Sequence, residues 1–330
     1  MHKFSPTLRT AIAVIMLAAL VSSALVCRAA EKMLPYEQHQ DVIYGDADGV
    51  ALVMDVFTPT GPKNGIGIID VASGAWASDR GKIHDHMRAG CYDIFCGRGY
   101  TVFAVRPGSL SRFPVPDMIQ HLRTATKWVQ HHAGLYGIDP QSLGLMGASA
   151  GGHLASLLVV LTPPTDKGKG ENAKTESGNI DQPFKAVGVF FPPTEFMNYH
   201  GTNDFAKDEQ SKKRILALAA PRDHSNCTPD TARLAELARS ISPALLVDRK
   251  QPPFLIIHGD ADPLVPLHQS ELLLAALKKQ GGSAELIVKK GGGHPWLTIR
   301  QEVKKMADWF DTQLKAKQTS GGHAESSTHE

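Results

Sequence analysis

Short apolar strands alternate with helix-length segments along most of this chain. Alternating apolar residues predict a strand over 51–57, and continuous apolar runs predict buried strands over 66–71 and 101–105. Later apolar runs predict strands over 142–146, 186–191, 254–258 and 284–289. Helix-length segments lie between or after them, over 80–96, 116–134, 150–161, 268–279 and 296–315. This alternation predicts an α/β fold with a mostly parallel central sheet and helices on both of its faces.

The first residues have the pattern of a secretory signal peptide. Lys3 and Arg9 precede an apolar run over 11–26, and small residues at −1 and −3 permit cleavage after Ala29. We therefore predict a signal peptide over 1–29 and an exported protein, either periplasmic or extracellular. A retained membrane anchor is the alternative, since the apolar run is just shorter than a comfortable membrane span.

The remaining chain is predicted to fold as a single domain over 30–317. The segment 198–248 interrupts the alternation with helical fragments, so it is either a cap over a pocket or a surface insertion. The polar stretch 162–182 predicts an exposed loop, and the small polar residues over 318–330 predict a disordered tail.

The charge balance argues against several classes of partner. The chain has 35 basic and 33 acidic residues, a net charge of +2, and the predicted signal peptide removes three basic residues and no acidic one. Without a basic excess or a lysine cluster, we predict no nucleic-acid partner and no stable membrane insertion of the mature protein. The glycine-rich segment near Gly291 is not followed by the Lys-Ser or Lys-Thr of a phosphate loop, and no nucleotide cofactor is expected.

Neither the cysteines nor the histidines form a metal-binding pattern. Cys91, Cys96 and Cys227 are too few and too irregular for a disulfide scaffold, and no Cys-x-x-Cys pair exists. A bridge between Cys91 and Cys96 has awkward geometry at a helix end, so buried free thiols are favoured. The histidines that could bind a metal are those at positions 84, 86, 121, 131 and 132. They lie on two separate predicted helices without a supporting pattern of carboxylates, so we predict that they are exposed or packing histidines.

The clearest chemical signal is a serine between glycines, directly after a predicted strand and at the start of a helix. A serine on so sharp a turn has strained backbone angles, and the flanking Gly147 and Gly151 let the chain pass closely. The turn presents the hydroxyl of Ser149 above the sheet. Ser149 is therefore the predicted nucleophile, and an ordinary glycine-rich turn is the alternative.

A serine nucleophile requires a histidine base and a carboxylate that orients it. The strand 254–258 runs into a turn that carries Asp260 and Asp262. Asp262 is favoured as the acid, with Asp260 as a turn-capping carboxylate. His294 follows three glycines in a loop before the terminal helix and is the predicted base, whereas His258 ends a buried strand and is predicted to pack.

Together these motifs resemble the α/β-hydrolase fold, and within it the esterase and prolyl-oligopeptidase-like branch of acetyl-esterase or feruloyl-esterase-like hydrolases. The resemblance extends over about 41–315, and its most similar parts are the runs 136–147 and 149–155 around the serine and the acid segment 252–271. It implies an exported serine hydrolase that cleaves a carboxylic ester, such as an acetyl or feruloyl ester on carbohydrate. The implied mechanism is a Ser-His-Asp triad with an acyl-enzyme and no cofactor.

The sequence departs from the family at the oxyanion segment. Such esterases usually carry His-Gly-Gly-Gly-Trp after the third strand, whereas residues 72–76 here are Ala-Ser-Gly-Ala-Trp. The main-chain N–H of Ala150, together with that of Gly74 or Ala75, is predicted to hold the oxyanion. The neighbouring Trp76 is predicted either to line the pocket or to pack in the core.

Two other functions compete with ester cleavage. The resemblance includes prolyl-oligopeptidase-like peptidases, but ester cleavage is favoured because the chain has no room for their large propeller domain. The other alternative is a non-catalytic α/β-hydrolase-like binding protein. The altered segment 72–76 favours it, and the complete set of Ser149, Asp262 and His294 argues against it.

Overall fold

One eight-stranded sheet lies at the centre of the computed structural model. Its strands are β1 (Tyr36–Ala47), β2 (Val50–Pro59), β3 (Gly67–Val71), β4 (Thr101–Val105), β5 (Leu143–Ala148), β6 (Phe184–Phe190), β7 (Phe254–Gly259) and β8 (Ala284–Lys289). Their spatial order is β1-β2-β4-β3-β5-β6-β7-β8. The pairs β1–β2 and β2–β4 are antiparallel and all the others are parallel, which confirms the predicted mostly parallel sheet.

The structure describes residues 34–163, 182–201, 205–220 and 230–315. The predicted signal peptide, the predicted tail over 318–330, Cys227 and most of the predicted loop 162–182 lie outside the described residues. Within the described ranges, no helix combines the length and the apolarity that a bilayer span requires.

Helices cover both faces of the sheet. They are α1 (Arg80–Ala89), α2 (Cys91–Cys96), α3 (Val115–His131), α4 (Ala133–Tyr136), α5 (Ala150–Leu161), α6 (Glu209–Ala219), α7 (Thr231–Ser240), α8 (Pro243–Leu246), α9 (His268–Lys279) and α10 (Ile299–Phe310). Because successive strand residues point to opposite faces, the core has two layers. Ile68 of β3 packs with α1, α2 and α10, whereas Ile69 packs with α3, α5 and α9.

Two elements differ from the sequence prediction. Strand β1 was not predicted, because irregular pairing with β2 between His39 and Gly45 breaks the alternation of buried and exposed residues. The predicted helix 80–96 is wrong in its middle, where Gly90 ends α1 in the left-handed conformation with φ of 80°. This left-handed residue separates α1 from α2, and the Arg300 guanidinium lies close to it, 1.8 Å from where a Cβ would be.

The interrupting segment 198–248 contributes α6, α7 and α8. Buried residues of these helices, such as Ile215 and Leu234, belong to the core layer that contains α3, α5 and α9. On the opposite face, Cys91 and Cys96 are buried and unbridged, which confirms the prediction of free thiols for this pair. Burial raises the pKa of the Cys96 thiol to about 12, so this thiol stays protonated at neutral pH.

Candidate active site

Ser149 occupies a strained turn between β5 and α5. Its backbone angles are φ 54° and ψ −120°, outside the ordinary regions for a residue with a side chain. A Cβ at Gly147 would lie 2.5 Å from the backbone of Gly151, and a Cβ at Gly151 would lie 2.2 Å from the carbonyl oxygen of Val71. Glycine is therefore required on both sides of Ser149, because the turn packs against its own backbone and against β3.

The structure brings the three predicted catalytic side chains into one hydrogen-bonded chain. His294 Nε2 lies 2.9 Å from Ser149 Oγ, and His294 Nδ1 lies 2.6 Å from Asp262 Oδ2. An ionised carboxylate only accepts hydrogen bonds, so Nδ1 carries the proton that it donates to Asp262. Nε2 is then unprotonated in the neutral ring and positioned to take the hydroxyl proton of Ser149.

Asp262 is held in its ionised form. Its Oδ1 accepts the N–H groups of Leu264 at 2.8 Å and Val265 at 2.9 Å, and its side chain is shielded from solvent. Burial alone would raise the pKa of this carboxyl, but the nearby His258 and hydrogen bonds from His294 and the two amides hold it well below its usual range. His258 is fully buried and its Nε2 lies 3.5 Å from Asp262 Oδ2. His258, which was predicted only to pack, therefore also contacts Asp262.

Asp260 connects the acid loop to the histidine loop and lies outside the triad. Its Oδ1 accepts the N–H of Gly291 at 2.6 Å, and the N–H of Ala261 donates to the carbonyl of Gly292 at 3.0 Å. A Cβ at Gly259 would lie 2.2 Å from the Gly292 oxygen. The glycines before His294 thus allow the two loops to pack backbone against backbone.

The oxyanion segment forms a tight turn. The N–H of Gly74 donates to the carbonyl of Ala77 at 3.0 Å, and the N–H of Ala77 donates to that of Gly74 at 2.9 Å. The two central residues, Ala75 and Trp76, have φ of 49° and 56°. Turns with positive φ at both central residues favour Asn or Gly there, so Ala and Trp store backbone strain at this position.

The amides in this region differ in their availability. The Gly74 N–H is used within the turn, whereas the amides of Ala75 and Ala150 donate no hydrogen bond within the described part of the chain. Ala150 is the first residue of α5, where a backbone N–H has no acceptor inside the helix. The N–H of Gly151 donates to the Ser73 carbonyl at 3.0 Å and joins the two segments. Of the predicted donors, Ala75 and Ala150 are the pair that this geometry favours.

Trp76 is fixed by a histidine to which the sequence analysis gave no role. The Trp76 Nε1–H donates to His153 Nδ1 at 3.0 Å, and His153 Nε2 lies 2.7 Å from the carbonyl oxygen of Ile241. Burial lowers the pKa of His153 to about 4, so the ring is neutral near pH 7. Its single proton then sits on Nε2, and Nδ1 accepts from the indole. The indole therefore anchors the strained turn to α5.

A cavity of about 720 Å³ opens beside the candidate catalytic residues. Ser149, His294 and Trp76 line it. Among the described residues of the segment 198–248, Tyr199 also lines the cavity. On the face of α1, α2 and α10, its apolar wall consists of Cys91, Phe95, Met146, Phe190, Val303 and Met306. Among the residues that the structure describes, no group of three or more His, Cys, Asp or Glu side chains is arranged to hold a metal ion.

A second polar pair on the cavity wall was not recognised as functional from the sequence. Asp70 lies in β3, within a segment predicted only as a buried strand, and it contacts His86 of α1. The signal available in the sequence was a single charged residue inside an otherwise apolar strand. Of the other predicted exposed or packing histidines, His121 is buried with Nδ1 2.7 Å from the Pro107 carbonyl oxygen.

Comparisons with known proteins agree with this architecture. A model of the BD-FAE family matches residues 54–277, a range that includes Ser149 and Asp262. A probable carboxylic ester hydrolase of Mycobacterium tuberculosis, LipM, is 27% identical over 253 residues, covering 74% of this chain and 52% of the relative. The chain spans about half the length of the curated relatives that head this comparison.

Solved structures of similar fold cover most of the chain. A truncated carbohydrate esterase from gut microbiota is 26% identical with a TM-score of 0.64, and the match covers 86% of this chain and 98% of that one. Esterase B of Lactobacillus rhamnosis is 19% identical with a TM-score of 0.67, and the match covers 94% and 99% of the two chains. At that identity the second structure shows a shared fold alone, which is the α/β-hydrolase fold.

Proposed function

The chain belongs to the BD-FAE family, and from this premise we propose that it is a serine hydrolase that cleaves carboxylic esters. The observation that carries the proposal is the continuous hydrogen-bonded chain from Asp262 through His294 to Ser149 at the wall of a cavity. The ester-hydrolase names of its relatives support the choice of ester over peptide substrates.

The proposed reaction has two steps through an acyl-enzyme. Ser149 Oγ attacks the ester carbonyl while His294 Nε2 takes the hydroxyl proton, and the amides of Ala75 and Ala150 stabilise the oxyanion. His294 then gives its proton to the departing alcohol as the tetrahedral intermediate collapses. Water then attacks the acyl carbonyl and loses a proton to the same nitrogen, and His294 returns this proton to Ser149 Oγ as the acid leaves. Asp262 stabilises the imidazolium that forms in each step.

We propose an acyl ester on carbohydrate, such as an acetyl or feruloyl ester, as the natural substrate of an exported enzyme. Two observations support this. The similar gut-microbiota structure is named a carbohydrate esterase, and residues 1–29 have the pattern of a signal peptide.

The decisive experiment combines active-site labelling with substrate turnover. We expect a fluorophosphonate probe to label the wild-type protein and not the Ser149→Ala variant. We also expect the wild type to hydrolyse p-nitrophenyl acetate, butyrate and octanoate faster than a peptide p-nitroanilide. Labelling with turnover of the anilide alone would identify a peptidase. The absence of both labelling and turnover would identify a non-catalytic binding protein.

The Trp76→Phe substitution tests the anchor of the oxyanion turn. Phenylalanine fills most of the indole volume but leaves the buried His153 Nδ1 without its donor, so we expect a stability loss of about 1–3 kcal/mol. Because the strained turn is then free to relax, kcat for p-nitrophenyl acetate should fall about tenfold or more, with little change in KM. Steady-state kinetics and thermal unfolding measure both effects. The matched control is Trp128→Phe on α3, and an unchanged kcat in Trp76→Phe would contradict the anchoring role.

A further inference from the structure

Asp70 lines the cavity, and one of its carboxylate oxygens has no hydrogen-bond partner among the described residues. Its side chain is 1% exposed, and its Oδ2 receives hydrogen bonds from His86 Nδ1 at 2.7 Å and from the Tyr92 hydroxyl at 2.9 Å. Its Oδ1 is buried and has no hydrogen-bond partner among the described residues. Because an unpaired buried carboxylate oxygen is costly, this atom points to a missing donor.

His86 supplies the second polar group of the pair. It lines the same cavity, and its Nε2 makes no hydrogen bond within the described ranges. Burial and the nearby Lys82 lower the pKa of His86. The Asp70 carboxylate and Asp85 raise it, and their effect is the larger, so the pKa is raised from its usual value. Asp70 and His86 therefore form a hydrogen-bonded pair in which the buried carboxylate favours the protonated form of the imidazole.

The pair lies on the same face of the sheet as the apolar wall and at a defined distance from the nucleophile. Asp70 is opposite Met146 in the β3–β5 register, and Ser149 follows Met146 by three residues. Three strand residues extend about 10 Å. A chain attached to Ser149 that follows the apolar wall therefore reaches Asp70 and His86 at its far end.

The chemistry of the wall selects the kind of group that fits there. A sugar would leave several hydroxyls unpaired against Phe95, Val303 and Met306, so the apolar wall suits the acyl half of an ester. A cation is not favoured, since the His86 imidazole already contacts Asp70 Oδ2 and would repel a second positive charge when it is protonated. A neutral hydroxyl both donates to a carboxylate oxygen and accepts from an imidazole N–H, so it matches both groups.

We propose that Asp70 and His86 form a subsite that binds a hydroxyl group near the far end of an otherwise apolar acyl chain. This inference rests on the proposed ester hydrolysis, because it places the acyl group of the acyl-enzyme along the wall from Ser149. The subsite favours hydroxylated acyl groups over unsubstituted ones of equal length. A hydrogen bond to a charged group changes such a preference by about tenfold to a hundredfold.

The test compares matched ethyl esters with the full-length protein. Ethyl hexanoate and ethyl octanoate are measured beside ethyl 6-hydroxyhexanoate and ethyl 8-hydroxyoctanoate by pH-stat titration. We expect kcat/KM of the wild type to be at least about tenfold higher for one hydroxylated ester than for its unsubstituted counterpart. In Asp70→Val and in His86→Phe that ratio should fall to near one. Two variants are used so that loss of folding in one still leaves the other.

The matched control is Tyr92→Phe, which removes a hydrogen bond to Asp70 from a residue that does not line the cavity. Its ratio should stay close to that of the wild type. A wild-type ratio near one, or a ratio retained in both cavity variants, would overturn the subsite. Failure to hydrolyse any of the esters would instead count against the proposed function.

Discussion

Replacing either Ser149 or His294 with alanine should lower kcat for p-nitrophenyl butyrate by about four to six orders of magnitude. Ser149 supplies the attacking oxygen, and His294 Nε2, 2.9 Å away, is the base positioned to take its proton. Loss of Ser149 removes the nucleophile and loss of His294 leaves its hydroxyl unactivated, so either change should lower kcat by this amount. Steady-state kinetics measure the loss, and melting curves show whether each variant is folded.

The double variant makes this expectation sharper. Because the two side chains act as a unit, Ser149→Ala with His294→Ala should be about as slow as either single variant. Ser156→Ala is the matched control, since this buried α5 hydroxyl donates to the Gly152 carbonyl away from the cavity. A Ser149→Ala enzyme that keeps more than about 1% of wild-type kcat would identify a different nucleophile.

Asp262→Asn should lower kcat by about three to four orders of magnitude. The carboxylate fixes the proton on His294 Nδ1 at 2.6 Å, whereas an amide N–H group would donate to that nitrogen and leave the proton on Nε2. A ring protonated on Nε2 cannot accept the Ser149 proton. Comparison of kcat with that of the wild type, at a pH where the imidazole is neutral, measures this loss.

Asp260→Asn is the control for that experiment, because the two acids are two residues apart on the same loop. Asp260 accepts one backbone N–H at 2.6 Å and is exposed, so its replacement should cost stability of about 0.5–1.5 kcal/mol with little loss of kcat. If Asp260→Asn were the slower enzyme, the assignment of the acid would be reversed.

Because folding lowers the pKa of Asp262, the stability difference between the wild type and Asp262→Asn should depend on pH. A carboxyl whose pKa is lowered by folding stabilises the folded protein above its unfolded pKa, near 4, and that contribution is lost as the pH falls. Wild type and Asp262→Asn should therefore differ in stability above about pH 5 and converge in more acidic solution. Chemical unfolding at several pH values tests the convergence.

Local sequence was sufficient to predict much of the sheet and the candidate triad. Parallel strands buried on both faces are continuous apolar runs, so β3, β4, β5 and β7 were recognisable. The glycines around Ser149 and before His294 reflect close backbone approach, a steric requirement that leaves a trace at fixed positions in the sequence. These features leave recognisable local patterns in the sequence, and they could be predicted for that reason.

Features that depend on distant partners were not predicted from the sequence. Strand β1 pairs irregularly with β2, and the break at Gly90 lies against Arg300, which is distant in the sequence. The choice of Ala75 over Gly74 as an oxyanion donor depends on which N–H group already donates a hydrogen bond within the turn.

The sequence by itself determined the class of fold, the alternation of most strands and helices, and the three residue types that the proposed acyl transfer requires. The tertiary structure alone decided which atoms face the cavity and which polar groups share it. Asp70 and His86 are 16 residues apart on different elements, and Trp76 and His153 are 77 apart. Their meeting depends on how helices pack onto the sheet, a three-dimensional relation that has no signature in local periodicity.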